Sequence, residues 1–203
     1  MLINIFKLIR VKDWLKNIIL FLPLIFSYQL ANFEKYNNLI LSFFAFCLAA
    51  SFIYIINDII DIKADKVHLI KKIKKPLANN KISIPFAIFL LITFFLSTNI
   101  ILIFIPSIKF HIYSYIFLNL LYNFFLKKIP IVDLFALSFG YLIRLDTGSK
   151  IINVDSSILM MATIFSLAFL VLGLKRNGEI NNKYYKRDSL RNYSKIFIKN
   201  LIY

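Results

Sequence analysis

The fold class follows from eighteen consecutive uncharged residues, Leu39–Ile56, which read LILSFFAFCLAASFIYII. A stretch of about 18 or more apolar residues without charge is a candidate transmembrane helix. The whole chain agrees, since 60% of its 203 residues are hydrophobic, 22 are Phe and the mean hydropathy is +0.74. A soluble domain could not cover so much apolar surface with polar residues. We therefore predict an integral membrane protein.

Further apolar stretches predict additional membrane crossings. They lack the period-two alternation of an outer-membrane barrel, so we expect an all-α, polytopic transmembrane helical bundle. The first stretch contains Pro23 and begins among charged residues, so an interfacial amphipathic start or a cleavable signal peptide are alternatives there. About six spans are predicted, at Val11–Leu30, Leu39–Ile56, Ile84–Ile105, Phe110–Leu126, Ile131–Gly148 and Ser157–Leu174.

The distribution of basic residues predicts the orientation of these spans. With the N-terminus in the cytoplasm, 21 of the 25 Lys and Arg residues fall in cytoplasmic segments, which satisfies the positive-inside rule. The net charge of +15 is then explained by topology and anionic lipid, and we expect no nucleic-acid partner. The prediction is a multi-pass protein of the inner (plasma) membrane, with the N-terminus and the site-bearing loops cytoplasmic.

An acidic trio, Asp58, Asp61 and Asp65, directly follows the decisive apolar stretch. On a continuous helix these three residues fall within an arc of about 60°, with Asn57 on the flank. Like charges at this spacing repel each other, and carboxylates are unfavourable near a helix C-terminus, so a counter-cation is expected. Because Mg²⁺ is usually held by one or two carboxylates and substrate phosphates, the trio predicts a Mg²⁺ site.

Other polar residues lie at the cytoplasmic ends of the predicted spans. The loop after the trio is rich in lysine, which suits either a diphosphate ligand or ordinary inside-positive charge. Tyr122 is either an interfacial anchor or a site residue, and Arg176 offers a bidentate fork suited to phosphate. Asp133 and Arg144 are ionisable residues within the fifth span and hence functional candidates, and Arg144 is expected to snorkel near the outer end.

These residues resemble the UbiA-type intramembrane prenyltransferases, and within that family the branch of decaprenyl-phosphate phosphoribosyltransferases. The pattern Asn57-Asp58-x-x-Asp61-x-x-x-Asp65 is similar to the family's first aspartate motif. Weaker similarities follow in the order that the branch shows. They are Arg10-x-x-x-Trp14-x-Lys16-Asn17, Lys75-Pro76-Leu77-Ala78 with Lys replacing Arg, Tyr122 with Leu126-Lys127 and Asp133, Leu142-Ile143-Arg144 with Gly148, and Lys175-Arg176-x-x-Glu179.

The resemblance also implies an architecture. The family fold has nine transmembrane helices around a lipid-facing cavity, whereas this chain has about six predicted spans. We therefore expect residues 1–203 to form a single transmembrane UbiA-like domain that lacks the C-terminal helices, with Arg187–Tyr193 as the lead-in to a seventh. A homo-oligomer or a helper subunit would then cover the missing helices.

The activity implied by the resemblance is a Mg²⁺-dependent transfer of 5-phosphoribose from phosphoribosyl diphosphate to a polyprenyl phosphate, with release of diphosphate. Asp58, Asp61 and Asp65 would be the catalytic metal ligands. The apolar helices would hold the isoprenoid lipid substrate, and the cytoplasmic face would bind the soluble diphosphate substrate. The implied substrate-binding residues are Asn57, Arg10, Lys16, Lys71, Lys72, Lys75, Tyr122, Lys127, Lys175 and Arg176.

Three alternatives remain open from the sequence. The same metal site would serve prenyl transfer from a prenyl diphosphate to an aromatic or lipid acceptor. A non-catalytic cation-binding membrane protein would instead place its carboxylates at mid-bilayer in broken helices. An inactive membrane fragment is the third reading.

Overall fold

The computed structural model of the protein describes residues 1–28, 30 and 33–181, and all regular structure in those residues is helical. The expected lead-in to a seventh span, Arg187–Tyr193, lies outside the described residues. The helices are α1 (Leu2–Leu8), a 3₁₀ segment (Val11–Phe21), α2 (Leu22–Phe26), α3 (Glu34–Ile60), α4 (Ile62–Val67), α5 (Leu69–Lys74), α6 (Ile84–Phe104), α7 (Lys109–Phe124), α8 (Val132–Ile152) and α9 (Ile158–Asn181), with short 3₁₀ turns at Pro106–Ile108 and Leu126–Lys128.

In the part of the chain that the structure describes, three helices are long and apolar enough to cross a membrane, in agreement with the prediction of an all-α membrane protein. They are α3, α6 and residues Ile158–Glu179 of α9. In the most apolar part of α3, 56% of residues are buried, against 17% in α6 and 11% in α9. Helix α3 is therefore the packing centre, while α6 and α9 expose most of their apolar surface, as helices facing lipid do.

The predicted fourth and fifth spans are also helical, as α7 and α8. Helix α7 has 16 residues, fewer than the roughly 20 that a straight crossing needs. Helix α8 has 21 residues and includes the charged Asp133, Arg144, Asp146 and Lys150. The number of membrane crossings therefore stays a prediction.

The first predicted span is not one straight α-helix but a 3₁₀ segment followed by the short α2. A 3₁₀ helix has three residues per turn, so Trp14, Asn17 and Leu20 share one face. Asn17 and Leu20 are fully buried, and the Trp14 Nε1–H donates to Ser51 Oγ at 3.0 Å. The three-residue period thus directs one polar and two apolar side chains against α3 and α8, which the α-helical period would spread around the segment.

A glycine on α8 permits close approach of the 3₁₀ segment. A Cβ built on Gly148 would lie 2.0 Å from the Leu20 carbonyl oxygen and 3.2 Å from Pro23 Cγ. The first contact is with backbone, so no side-chain rotation could relieve it. Gly148 therefore fixes how near α8 lies to the 3₁₀ segment.

The core forms where α3 meets α7 and α8. Phe46 is fully buried and packs edge-on against Tyr115, with the ring centroids 5.4 Å apart. Small residues on α3, including Ala45 and Ala49, are also fully buried and allow close packing. The same helix then continues to the acidic trio, so the core fixes the position of the trio's first residue.

Candidate active site

The acidic trio, which we call the aspartate rim, lies where α3 ends. Asp58 is in the last turn of α3, Asp61 ends the helix with φ −85° and ψ 2°, and Asp65 belongs to α4. The backbone turns at Asp61 while keeping helix-like hydrogen bonds from Asp61 N to Asn57 O and from Asp65 N to Asp61 O, at 3.0 and 2.8 Å. The sequence had predicted that the three carboxylates share one face of a continuous helix. The structure corrects this, because the helix ends at Asp61.

Two of the three carboxylates converge on one lysine. Lys75 Nζ is 2.8 Å from Asp58 Oδ1 and 2.5 Å from Asp65 Oδ2. The side chains of Asp58 and Asp65 are only 2% and 1% exposed, so their repulsion would be severe without a shared cation. Arg10 adds a second cation at 2.8 Å from Asp58 Oδ1, and Lys71 Nζ lies 3.4 Å from Asp65 Oδ1.

The third carboxylate, Asp61, pairs with a different lysine. Its Oδ1 pairs with Lys127 Nζ at 2.8 Å, which links the rim to the turn after α7. Asp61 is also the most exposed of the three side chains, at 29%. Among the described residues no group of three His, Cys, Asp or Glu is close enough to hold a metal ion, because the trio is divided in this way.

The donor set fits a divalent cation bound by two carboxylates. Asp58 and Asp65 meet at the position that the Lys75 ammonium occupies, which is where a shared cation would sit. Asp65 Oδ1 is buried and accepts no hydrogen bond from the described residues, and Lys71 Nζ lies 3.4 Å from it. One or two carboxylates, completed by substrate phosphates and water, are the usual protein contribution to a Mg²⁺ site. The rim therefore offers Asp58 and Asp65 as a candidate pair.

The rim also carries more positive than negative charge. Arg10, Lys71, Lys75 and Lys127 surround the three carboxylates. Arg10 reaches the rim from a left-handed backbone conformation, φ 54° and ψ 51°, where the chain turns from α1 into the 3₁₀ segment. This conformation is unfavourable for a residue with a Cβ, so the ion pair with Asp58 and the stacking on Tyr54, 4.5 Å from the ring centroid, help to hold it.

A cavity of about 190 Å³ opens beside the rim, and we call it the central cavity. Its wall combines residues from the 3₁₀ segment, α3, α7, α8 and α9. Several site residues predicted from the sequence lie in it, so the structure brings distant parts of the chain together. The lining includes Arg10, Asp13, Lys16, Tyr54, Asn57, Tyr115, Asn119, Tyr122, Asn123, Tyr141, Arg144, Lys175 and Arg176.

Arg176, which lines the central cavity, joins α7, α8 and α9. Its Nε donates to Asp133 Oδ2 at 2.8 Å, its Nη1 to Glu179 Oε2 at 2.7 Å and its Nη2 to the Tyr122 hydroxyl at 3.3 Å. The guanidinium is thus neutralised by two carboxylates although it is almost fully buried. Glu179 and Arg176 therefore form an ion pair within α9.

One predicted binding residue lies apart from these contacts. Lys72 is exposed on α5, and none of the ion pairs found among the described residues includes it. Its neighbour in sequence, Lys71, turns toward Asp65, and the Lys71 backbone N–H donates to His68 Nδ1 at the start of α5. The helix therefore separates two adjacent lysines that the sequence had treated alike.

Arg144 occupies the deep part of the central cavity, which corrects the expectation that it snorkels outward. It is 5% exposed, and its guanidinium donates to Asn17 Oδ1 at 2.6 Å, to the Gly140 carbonyl at 2.6 Å and to the Tyr115 hydroxyl at 2.9 Å. Sequence reasoning did not assign Asn17 or Tyr115 to the site. The three-residue spacing of Trp14, Asn17 and Leu20 could have indicated Asn17, but Tyr115 lies in an aromatic-rich stretch without a distinguishing signal.

Comparison with known proteins identifies the family. The UbiA prenyltransferase family matches residues 20–187, which is most of the chain. The decaprenyl-phosphate phosphoribosyltransferase of Corynebacterium glutamicum is 28% identical over 86% of this chain and 54% of its own length. The protein of the same name from Mycolicibacterium smegmatis is 29% identical over 87% of this chain and 57% of its own. An uncharacterized protein of Sinorhizobium fredii is 30% identical over 69% of this chain and 27% of its own length.

The fold and the site thus define a helical membrane bundle with a cavity lined by charged residues. This chain belongs to the UbiA prenyltransferase family. It spans about half the length of the two phosphoribosyltransferases that it resembles.

Proposed function

We propose that the protein is a Mg²⁺-dependent intramembrane transferase, which moves 5-phosphoribose from phosphoribosyl diphosphate to a polyprenyl phosphate. The observation that carries the proposal is the convergence of Asp58 and Asp65 on one cation position, beside a cation-lined cavity in a helical membrane bundle. The names of two relatives that align with more than four fifths of this chain support the choice of substrates.

The residues at and beside the rim would have different roles in binding the diphosphate. Asp58 and Asp65 would hold Mg²⁺, and Asn57, which lines the cavity beside them, would help to orient the diphosphate. The bound metal would neutralise part of the charge that develops on the leaving diphosphate. Arg10 and Lys75 are already within 2.8 Å of Asp58, so they are placed to bind diphosphate oxygens when the metal takes the carboxylates.

In the transfer, the bond between C1 of the ribose and a diphosphate oxygen breaks, and a bond between C1 and a phosphate oxygen of the lipid forms. The phosphate monoester of the lipid becomes a diester, and diphosphate leaves with the bonding electron pair. The sugar gains oxocarbenium character on the way, so fixed positive charge near the leaving group stabilises the transition state. Lys127, which pairs with Asp61 at the rim, would add to that field, and Arg176 would help to position Tyr122 through the contact of its Nη2 with the hydroxyl.

We also propose the membrane arrangement expected from the charges. The protein would lie in the inner (plasma) membrane as one UbiA-like domain, with the N-terminus and the rim in the cytoplasm. Because Cys47 is fully buried, a single engineered cysteine would report its own location to an impermeant maleimide. Lys74→Cys should react only from the cytoplasmic side and Lys150→Cys only from the other. The opposite pattern would refute this orientation.

The activity test compares two substrate pairs with the full chain in lipid and Mg²⁺. One pair is phosphoribosyl diphosphate with polyprenyl phosphate, and the other is a prenyl diphosphate with 4-hydroxybenzoate. Diphosphate release and product mass are measured, with Asp58→Asn as the matched inactive control. Product from the first pair supports the proposal. Product from the second pair alone would make the protein a prenyltransferase, and a folded sample inactive with both would refute transfer by this chain.

A further inference from the structure

The deep part of the central cavity contains a buried positive charge without a carboxylate partner. Arg144 is 5% exposed, and the nine ion pairs found among the described residues include none to it. Its three hydrogen-bond acceptors are the amide of Asn17, the carbonyl of Gly140 and the hydroxyl of Tyr115. All three are uncharged groups, so they orient the guanidinium without neutralising it.

Arg176 provides the internal comparison. It lines the same cavity and is 2% exposed, but it contacts the carboxylates of both Asp133 and Glu179. A buried ion without a counter-ion is unfavourable by several kcal/mol, and more so within a membrane. Cation–π contacts of Arg144 with Tyr115 and Tyr141, at 4.5 and 5.6 Å from the ring centroids, offset part of this unfavourable free energy. The part that is not offset favours binding of an anion.

The donor geometry of Arg144 suits a phosphate. A guanidinium has five N–H groups. The hydrogen bonds to Asn17, Gly140 and Tyr115 use one on each nitrogen, which leaves one N–H on Nη1 and one on Nη2. Two terminal N–H groups of one guanidinium are the donors of a bidentate contact with phosphate or carboxylate.

The depth of Arg144 separates it from the aspartate rim. On α3, Cys47 contacts Asn17, which accepts a hydrogen bond from Arg144. Asp58 of the rim lies eleven residues further along the same helix, which is about 16 Å along its axis. In an in-line displacement at C1, the incoming oxygen approaches from the side opposite the leaving diphosphate. With the diphosphate at the rim, the incoming phosphate lies toward the deep part of the cavity.

We propose that Arg144, oriented by Asn17 and Tyr115, forms a second anion site that binds a phosphate monoester. This proposal rests on the proposed function for its choice of ligand. Two substrates of that reaction carry a phosphate monoester, namely the polyprenyl phosphate and the ribose 5-phosphate end of the donor. The site differs from the rim because the three groups that accept hydrogen bonds from Arg144 are uncharged, whereas the rim is built on carboxylates.

The test measures equilibrium binding of two labelled probes to the full chain in lipid nanodiscs. The probes are farnesyl phosphate, which represents the lipid acceptor, and ribose 5-phosphate, which represents the donor. Farnesol serves as the phosphate-free control. The variants are Arg144→Gln, Arg144→Lys and Tyr115→Phe. The matched control is Lys150→Gln, which removes one positive charge from an exposed position on the same helix.

Arg144→Gln should raise the Kd of one probe by about tenfold or more, since charge-assisted hydrogen bonds are lost. Arg144→Lys should raise it less, and Lys150→Gln and farnesol binding should not change. An effect on farnesyl phosphate assigns the site to the acceptor, and an effect on ribose 5-phosphate assigns it to the donor. Tyr115→Phe keeps the charge and loses one orienting bond, so it tests the site if Arg144→Gln does not fold.

The proposal is overturned if folded Arg144 variants bind both probes as tightly as the unaltered chain while their unfolding temperature falls. That result would make Arg144 a purely structural residue. Failure of the proposed function has a different signature. A chain that binds farnesyl phosphate through Arg144 but does not release diphosphate from phosphoribosyl diphosphate would retain the anion site and lose the reaction.

Discussion

The aspartate rim and the Arg144 site hold their charges in opposite ways. At the rim every carboxylate already has a cation, because Lys75 serves Asp58 and Asp65 while Lys127 serves Asp61. In the deep part of the cavity, Arg144 has polar neighbours but no anion among the described residues. Under the proposed function, the rim would exchange one set of ion pairs for another on binding a metal and an anion, whereas the deep site would gain its first counter-ion.

The two regions are joined by one segment of chain. The 3₁₀ segment follows directly from Arg10, which contacts the rim, and contains Asn17, which orients Arg144. A displacement of this segment would therefore alter both regions at once, while a change in a rim side chain should affect the rim alone. This difference gives four ways to test the comparison.

The largest effect is expected from Asp58→Asn. The amide keeps the shape of the side chain but cannot share a divalent cation with Asp65. It also removes the negative charge that Arg10 and Lys75 both contact. We expect kcat to fall by about 100-fold or more. Asp61→Asn should lower kcat by only about tenfold, because Asp61 is more exposed and faces Lys127. Mn²⁺ binding, followed by electron paramagnetic resonance, should weaken more in Asp58→Asn than in Asp61→Asn. Equal losses would mean that the three carboxylates act as one set.

Gly148→Ala should disturb both regions through the 3₁₀ segment. The new Cβ would lie 2.0 Å from the Leu20 carbonyl oxygen, so the segment and α8 must move apart. We expect a loss of about 1–3 kcal/mol in unfolding free energy, measured by thermal unfolding in detergent. Gly178→Ala is the matched control, because a Cβ there meets nothing within 4 Å and Ala is favoured over Gly in a helix. If Gly148→Ala is as stable as Gly178→Ala, the segment does not pack as described.

The sequence predicted the parts of this molecule that depend on local pattern. The apolar stretch Leu39–Ile56 predicted α3, and the acidic spacing that follows it predicted a cluster of charges at its end. The turn at Asp61 could not be predicted, because the spacing of the three aspartates in the sequence is compatible with a continuous helix and with a helix that ends in a tight turn. Which cation meets each carboxylate depends on residues such as Lys127, which is 66 positions from its partner.

The burial of Arg144 could not be predicted from the sequence for a similar reason. A charged residue near the end of an apolar stretch is compatible with snorkelling outward or pointing inward, and only its partners decide between them. Those partners, Asn17 and Tyr115, are 127 and 29 residues away in the chain. The choice also depends on the 3₁₀ geometry of Val11–Phe21, which an apolar stretch of this length does not indicate.

A smaller effect should separate two lysines that the sequence treats alike. Lys127→Gln removes the cation that faces Asp61, and we expect KM for the diphosphate substrate to rise about tenfold. Lys72→Gln should raise it by about twofold or less, since Lys72 is exposed and away from the rim. Steady-state kinetics with varied diphosphate substrate would measure both. A larger effect at Lys72 would place the diphosphate over α5 and outside the rim described here.

The smallest expected effect concerns how the 3₁₀ segment is held between the two regions. The Trp14 Nε1–H donates to Ser51 Oγ at 3.0 Å, and the Ser51 hydroxyl also lies 3.0 Å from the Ile9 carbonyl oxygen. Trp14→Phe and Ser51→Ala each remove the bond between segment and helix, so a double-mutant cycle on unfolding free energy should give a coupling of about 1 kcal/mol.

Ser42→Ala is the control for that cycle, because the Ser42 hydroxyl donates its hydrogen bond to the Asn38 carbonyl within α3 and not to the segment. Its coupling to Trp14→Phe should be near zero. If the Trp14–Ser51 coupling is also near zero, apolar packing alone holds the segment, and the rim and the deep site would be linked through Leu20 and Gly148. A measurable coupling would instead mean that a directional bond at Trp14 fixes the register of the segment, and with it the distance between Arg10 and Asn17.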